Sequence, residues 1–207
     1  MCRHSSAARP AKVSSSGLVP SAPEGPILVR VADRSGSSAV QRGPNLRDNP
    51  VNMAHHYRTT IAWDGAGDTG TSSYAVYGRN YRVRVEGKPD IEASADPAFR
   101  GDPARHNPED LFVAAISACH MLTYLALCAR KCIHVVAYED AATGTMEETP
   151  DGGGRFTEVV LHPRVTMAQG DADLAAKLHD KAHALCYVAN SCSVPIRHHA
   201  TIHEGTR

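Results

Sequence analysis

The stretch Asn107-Pro108-Glu109-Asp110-Leu111-Phe112-Val113-Ala114-Ala115-Ile116-Ser117-Ala118-Cys119-His120-Met121-Leu122 decides how this chain is read. Asn107 is a preferred N-cap type, Pro108 falls at the first helical position, and Asp110 follows the cap by three residues, as helix starts prefer. The apolar run from Leu111 to Ala129 is interrupted by Ser117, His120, Thr123 and Tyr124. It reads as a buried core helix, because a membrane-spanning one needs about 20 mainly apolar residues. Cys119 sits in this run. A second cysteine, Cys186, lies far downstream in His183-Ala184-Leu185-Cys186-Tyr187-Val188-Ala189-Asn190-Ser191. A fold that joined the two would own thiols able to cycle through a disulfide, with Glu109 and Arg79 upstream to tune a thiolate.

Working outward, Tyr57 to Trp63 alternates as a strand would, and the glycine-rich segment from Asp64 to Gly70 reads as a turn. Ser73 to Tyr77 and Tyr81 to Glu86 flank Gly78-Arg79-Asn80, which predicts a hairpin with Arg79 at its tip. Residues 87–106, with Pro89, Pro97, Gly101 and Pro103, read as loop. Ile133 to Met146 and Phe156 to Met167 read as strands separated by the turn Asp151-Gly152-Gly153-Gly154. Asp171 caps a second helix whose core stripe is Leu174, Leu178, Ala182 and Leu185, and a last strand runs from Val194 to about His203. This order of hairpins, helices and strands is α+β rather than strict βα alternation.

Composition narrows the classes. The chain has 207 residues, 42% hydrophobic and 21% charged, which suits one globular domain plus a tail. Its formal net charge is zero, so nothing favours nucleic acid or an acidic membrane surface as partner. Residues 1–52, rich in Ser, Pro, Gly and Arg, lack periodicity and are expected to be a disordered leader; the domain is placed at 53–207, with Met53 as a plausible natural start. No secretory h-region is visible, so the six cysteines are expected to be individual thiols in a cytoplasmic protein.

Asn107-Pro108-Glu109 followed ten residues later by Cys119, Gly78-Arg79 upstream, and Cys186 late in a downstream helix together resemble the OsmC/Ohr family of thiol peroxidases over residues 57–202. The strings around Cys119 and Cys186 resemble an OsmC-like branch more than the organic hydroperoxide resistance branch. The resemblance implies bent antiparallel sheets around two central helices in an intertwined homodimer, with the site near the subunit interface. It implies attack by Cys119 on an organic hydroperoxide and a Cys119–Cys186 disulfide. A dithiol reductant, in some members a lipoylated protein, would then recycle the pair. Arg79 would stabilise the thiolate, and Glu109 would hold Arg79. Neither metal nor other cofactor is called for.

A straight helix would put Glu109 and Cys119 about 15 Å apart along its axis and leave the helix N-terminus too far from the sulfur to act on it. The expectation is therefore a kink near Ile116-Ser117, with Ser117 as a new N-cap. Other residues offer rivals. Arg82, Arg84, Arg100 and Arg105 are alternative donors, and Cys192 is an alternative resolving thiol. Cys128 and Cys132 are expected to pack, and Cys2 lies in the leader. His179 and His183, four apart, read as an exposed helix face rather than a metal site. His198, His199 and His203 do not obviously converge, and His120 is a weak candidate to contact the thiolate. Phe112, Met121, Leu122 and Tyr187 suggest an apolar pocket. Two other functions stay open: a cysteine-dependent hydrolase or acyl-transfer enzyme with a histidine base, and a non-catalytic binder of a hydrophobic ligand.

Overall fold

Asn107 opens the first helix as its sequence requires. Its side chain accepts the Asp110 N–H at 2.7 Å while the Asp110 carboxylate accepts the Asn107 N–H at 3.3 Å, a reciprocal cap that starts α1, Pro108–Arg130. The computed structural model describes residues 54–205; the leader assigned to residues 1–52 and the start at Met53 lie outside them. The helix α1 is continuous over 23 residues, so the break expected at Ile116-Ser117, with a second helical start there, is not found. The alanine-rich run around Ser117 favours uninterrupted helix. Ser117 is also not a cap, since its hydroxyl donates to Asp140 Oδ2 at 2.6 Å, across 23 residues of chain.

Three strands precede α1: β1 (Thr60–Trp63), β2 (Tyr81–Arg84) and β3 (Ile91–Ala93), paired antiparallel in that order. The hairpin expected between Ser73 and Glu86 is corrected here. Tyr81 to Arg84 pairs with Thr60 to Trp63, and residues 64–80 form a long loop of turns. The loop folds on itself: Gly78 and Gly65 approach so closely that the Trp63 indole N–H donates to the Gly78 carbonyl at 2.8 Å. The stretch expected to be loop also contains β3 and a short 3-10 turn, Pro97–Phe99.

After α1, the strands come as β4 (His134–Asp140), β5 (Thr143–Glu148), β6 (Gly154–Leu161) and β7 (Pro163–Gln169). Then follow α2 (Ala172–Leu185), a 3-10 turn (Ala189–Ser191), β8 (Ile196–His198) and β9 (Thr201–Glu204). One sheet has the order β4-β7-β9 and the other β5-β6-β8. Each of the three long segments read as one strand therefore breaks in two at a corner, at residues 141–142, at His162 and at residues 199–200. Asp140 holds this corner, accepting the His162 N–H on Oδ1 at 2.7 Å and the Ser117 hydroxyl on Oδ2. The fold is α+β with bent sheets and two helices, as expected, but the sheets are mixed. The pairs β6–β8 and β7–β9 are parallel.

Two apolar clusters build the core. Tyr124, Cys128, Val165, Met167, Leu178 and Ala182 join α1 and α2 to the β4-β7-β9 sheet, while Ile116 packs with Val159 and Leu161 of β6. Burying a side chain of this size contributes about 1.5–3 kcal/mol. Gly144 in β5 is required by close approach, since a Cβ there would lie 2.7 Å from the Phe156 ring and 2.8 Å from Val113. The helix α1 is apolar enough and long enough to cross a membrane, yet only 22% of its apolar stretch is buried within the chain. Its inward face is the one carrying Ile116, His120, Tyr124 and Cys128.

Candidate active site around Cys119 and Cys186

The site assembles from α1, the end of α2 and the turn that follows. The last helical residue of α2 is Leu185, and Cys186 is its C-cap, with extended backbone. The chain then turns through Ala189–Ser191, a segment that touches both helices. This turn brings Cys186 to Cys119. The two thiols lie close enough to interact, and both are free. Cys186 is 1% exposed; burial, then the interaction with Cys119, pushes its thiol up to about 11. Its sulfur also accepts the Ala189 N–H at 3.5 Å. Cys119 is half-buried and is the more accessible of the two.

Cys119 lies in mid-helix, without the helix N-terminus that the kink was to supply. The charge half of the constellation is not joined to it. The side chain of Arg79 donates to the carbonyls of Tyr77 and, at 2.6 Å, Tyr74, and its guanidinium stacks 3.8 Å from the Tyr77 ring centre and 4.4 Å from that of Tyr74. The rival arginines are also engaged: Arg82 with Asp64, Arg84 with Asp90, Arg105 with Glu92 and Asp102, and Arg100 with the Ala75 carbonyl. Glu109 has no such partner. Its Oε2 is buried without a hydrogen bond, at the edge of a cavity of about 610 Å³ that also takes in Asp96, Ser117, Met121, Tyr138 and Phe156. Along a continuous helix Glu109 and Cys119 stand about 15 Å apart, and Cys119 does not line this cavity.

A histidine cluster lies beneath the thiols, and sequence reasoning missed it. His120 and His179 are buried and share a hydrogen bond at 3.0 Å, while the His179 ring stacks 3.9 Å from Tyr124. His198 tilts against both, and His183 lies beside His198. The expected exposed face at His179 and His183 is thus corrected: His179 is fully buried. Burial drives His120 down to about 4 and His179 down to about 3, with neighbouring histidines pushing the same way, so both rings are neutral at ordinary pH. Only the four-residue spacing of His179 and His183 hinted at this cluster; its other members come from distant segments. Among the described residues no group of His, Cys, Asp and Glu has the arrangement of a metal site.

The other cysteines separate. Cys128 packs in the core, where burial raises its thiol. Cys132, expected to pack, is instead exposed, with a left-handed backbone at φ 58°. Cys192 donates from its sulfur to the Val188 and Ala189 carbonyls, each at 3.4 Å.

Residues 101–199 match the family model described as OsmC-like protein. No curated protein matches the chain. An OsmC-like protein of unknown function from Vibrio cholerae shares the fold with a TM-score of 0.64 and 29% identity, covering 72% of this chain and 100% of its own. An OsmC-like protein from Mycoplasma pneumoniae aligns at 16% identity and TM-score 0.57, over 73% of this chain and 99% of its own. An organic hydroperoxide resistance protein from Elizabethkingia anophelis aligns at 22% identity and TM-score 0.53, over 74% and 100%. Residues 101–199, the segment that holds both thiols, thus carry an OsmC-like domain, and the fold is similar to that of OsmC-like proteins along their full length.

Proposed function

We propose that the chain is a cysteine-based peroxidase that reduces organic hydroperoxides to alcohols. The observation that carries this reading is the pair of neighbouring free thiols, one half-buried and one buried. The Cys119 thiolate attacks the distal peroxide oxygen and the O–O bond breaks. The alkoxide takes a proton and leaves as alcohol, and Cys119 becomes a sulfenic acid. The Cys186 sulfur then attacks the Cys119 sulfur; the thiol proton leaves with the hydroxide as water, and a disulfide remains. A dithiol reductant restores both thiols, and a lipoyl group is the candidate. The OsmC-like domain at residues 101–199 and the similarity of the fold to a protein of the organic hydroperoxide resistance type support the substrate class. Exposed Leu122, Leu185 and Tyr187 around the pair supply apolar surface for an organic group.

The active form is proposed to be a homodimer. Ala114, Ala115, Ala118, Leu122, Ala126 and Ala129 are exposed at three- and four-residue spacings along α1, an apolar stripe that a second copy would cover. In that assembly the 64–80 loop is proposed to rearrange, releasing Arg79 to the Cys119 thiolate, with Glu109 as its carboxylate anchor. The hydrolase reading requires a histidine base on the thiol, whereas here the partner of Cys119 is Cys186, and His120 and His179 bond to each other. The cytoplasm is the proposed location.

Turnover of cumene hydroperoxide and hydrogen peroxide with dihydrolipoamide as reductant tests this reading. The organic peroxide should be the better substrate in kcat/KM. Equal rates, or a preference for hydrogen peroxide, would remove the substrate assignment. Turnover undiminished by Cys119→Ser would remove the mechanism.

A further inference from the structure

The proposed cycle ends with a disulfide between Cys119 and Cys186, and neither residue lines the cavity beside Glu109. A third thiol does face a cavity of its own. Cys192 borders a space of about 450 Å³ together with Phe112, Arg155, Phe156 and Pro195. It sits on the other side of the same turn that positions Cys186. The Ala189 N–H points to the Cys186 sulfur at 3.5 Å, and the Cys192 sulfur bonds the Val188 and Ala189 carbonyls at 3.4 Å. The two sulfurs therefore bracket one peptide unit, Val188–Ala189, at the start of a three-residue 3-10 turn. No side-chain cap holds the start of that turn. Short 3-10 segments have poor hydrogen-bond geometry and rearrange readily. Three thiols thus stand in series, from the half-buried Cys119 through the buried Cys186 to Cys192 at a surface cavity.

We infer that Cys192 is a relay thiol that moves the disulfide from the Cys119–Cys186 pair to the surface. This rests on the peroxidase reading and deepens it. The Cys192 thiolate attacks the Cys186 sulfur, the Cys119–Cys186 bond breaks, and a Cys186–Cys192 bond forms. Cys119 departs as a thiolate, the proton lost by Cys192 passes to solvent, and no electron leaves or enters the protein. Cys119 is thereby ready for another peroxide before the reductant arrives, and the dithiol reductant attacks at Cys192 beside Arg155. Attack at Cys192 requires no opening of the buried Cys186 environment.

The digestion pattern of the chain makes the test direct. Cys119 falls in the tryptic peptide 106–130, while Cys186 and Cys192 share the peptide 182–197. The reduced full-length protein is mixed with an equimolar amount of cumene hydroperoxide, without reductant, and quenched at intervals by acid and alkylation. The 106–130 to 182–197 cross-link should form first and then decay into a 182–197 peptide bridged within itself, with Cys119 again open to alkylation. In Cys192→Ser, and in Cys192→Ala should the serine variant fail to fold, the cross-link should accumulate and persist. A cross-link that persists equally in the unmodified protein overturns the relay and leaves the peroxidase reading standing. A cross-link that never forms overturns both. An internal bridge that forms equally in Cys119→Ser also overturns the relay, because it shows direct oxidation of Cys192.

Discussion

The two halves of the proposed active site differ in how the single chain treats them. The thiol half is finished: α1, the end of α2 and the 189–191 turn hold Cys119 and Cys186 in contact. The charge half is not. Arg79 is clasped by two tyrosine rings and two carbonyls of its own loop, and Glu109 is left with a buried, unbonded oxygen beside a cavity. The thiols are positioned by core packing, which one chain completes by burying apolar surface. The pairing proposed for Arg79 and Glu109 depends instead on a loop that, in the single chain, holds Arg79 elsewhere. The contrast teaches that the thiol pair is complete within the protomer, while the tuning of the attacking thiolate is proposed to be a property of the assembly.

That contrast can be broken from either side. Cys119→Ser should reduce peroxide turnover to the uncatalysed background, measured by peroxide consumption with dihydrolipoamide; any large residue of activity would relocate the attacking group. Arg79→Ala should lower kcat/KM on the order of 10²-fold, the usual scale for removing one donor aimed at developing charge. An unchanged value would mean that the clasped position of Arg79 is its working one. The same variant should leave formation of the Cys119–Cys186 disulfide by diamide unaffected, since that bond needs no guanidinium.

Smaller effects sharpen the picture of the packed half. His120 and His179 have folded pKa values near 4 and 3, below the ordinary 6.5 of an unfolded histidine. The unfolded chain therefore binds more protons between these values, so the stability these rings confer is present in full above pH 6.5 and is lost as pH falls toward 4. A tenfold change in proton affinity is worth about 1.4 kcal/mol, so the loss should reach several kcal/mol, read from urea midpoints across this range. Midpoints that stay flat from pH 6.5 to 4.5 would contradict a neutral, buried pair. Ser117→Ala, which leaves Asp140 Oδ2 without its hydroxyl donor at the sheet corner, should cost about 1–2 kcal/mol in the same assay.

The legible parts of this chain were those written in local chemistry. Asn107, Pro108 and Asp110 marked the start of α1 and Asp171 that of α2, because a cap is satisfied within a few residues. The spacing of Asn107-Pro108-Glu109, Cys119 and Cys186 carried the resemblance to OsmC-like proteins that the match over residues 101–199 bears out. What failed depended on partners far away. Ser117 looked like a cap, yet its partner is Asp140 on a strand. His120, His179 and His198 come from α1, α2 and β8 and meet only when the core closes. The corner at Asp140 and His162 divides apolar runs that read as continuous strands, since period-two alternation does not reveal where a sheet bends.

The mass of the intact protein after a stoichiometric addition of cumene hydroperoxide tests the central claim most directly. With no reductant present, the account predicts a fall of about two hydrogens and a disulfide that maps to Cys119 and Cys186 at the earliest times. A mass gain of one oxygen or more that persists on Cys119, with Cys186 still open to alkylation after denaturation, would contradict it.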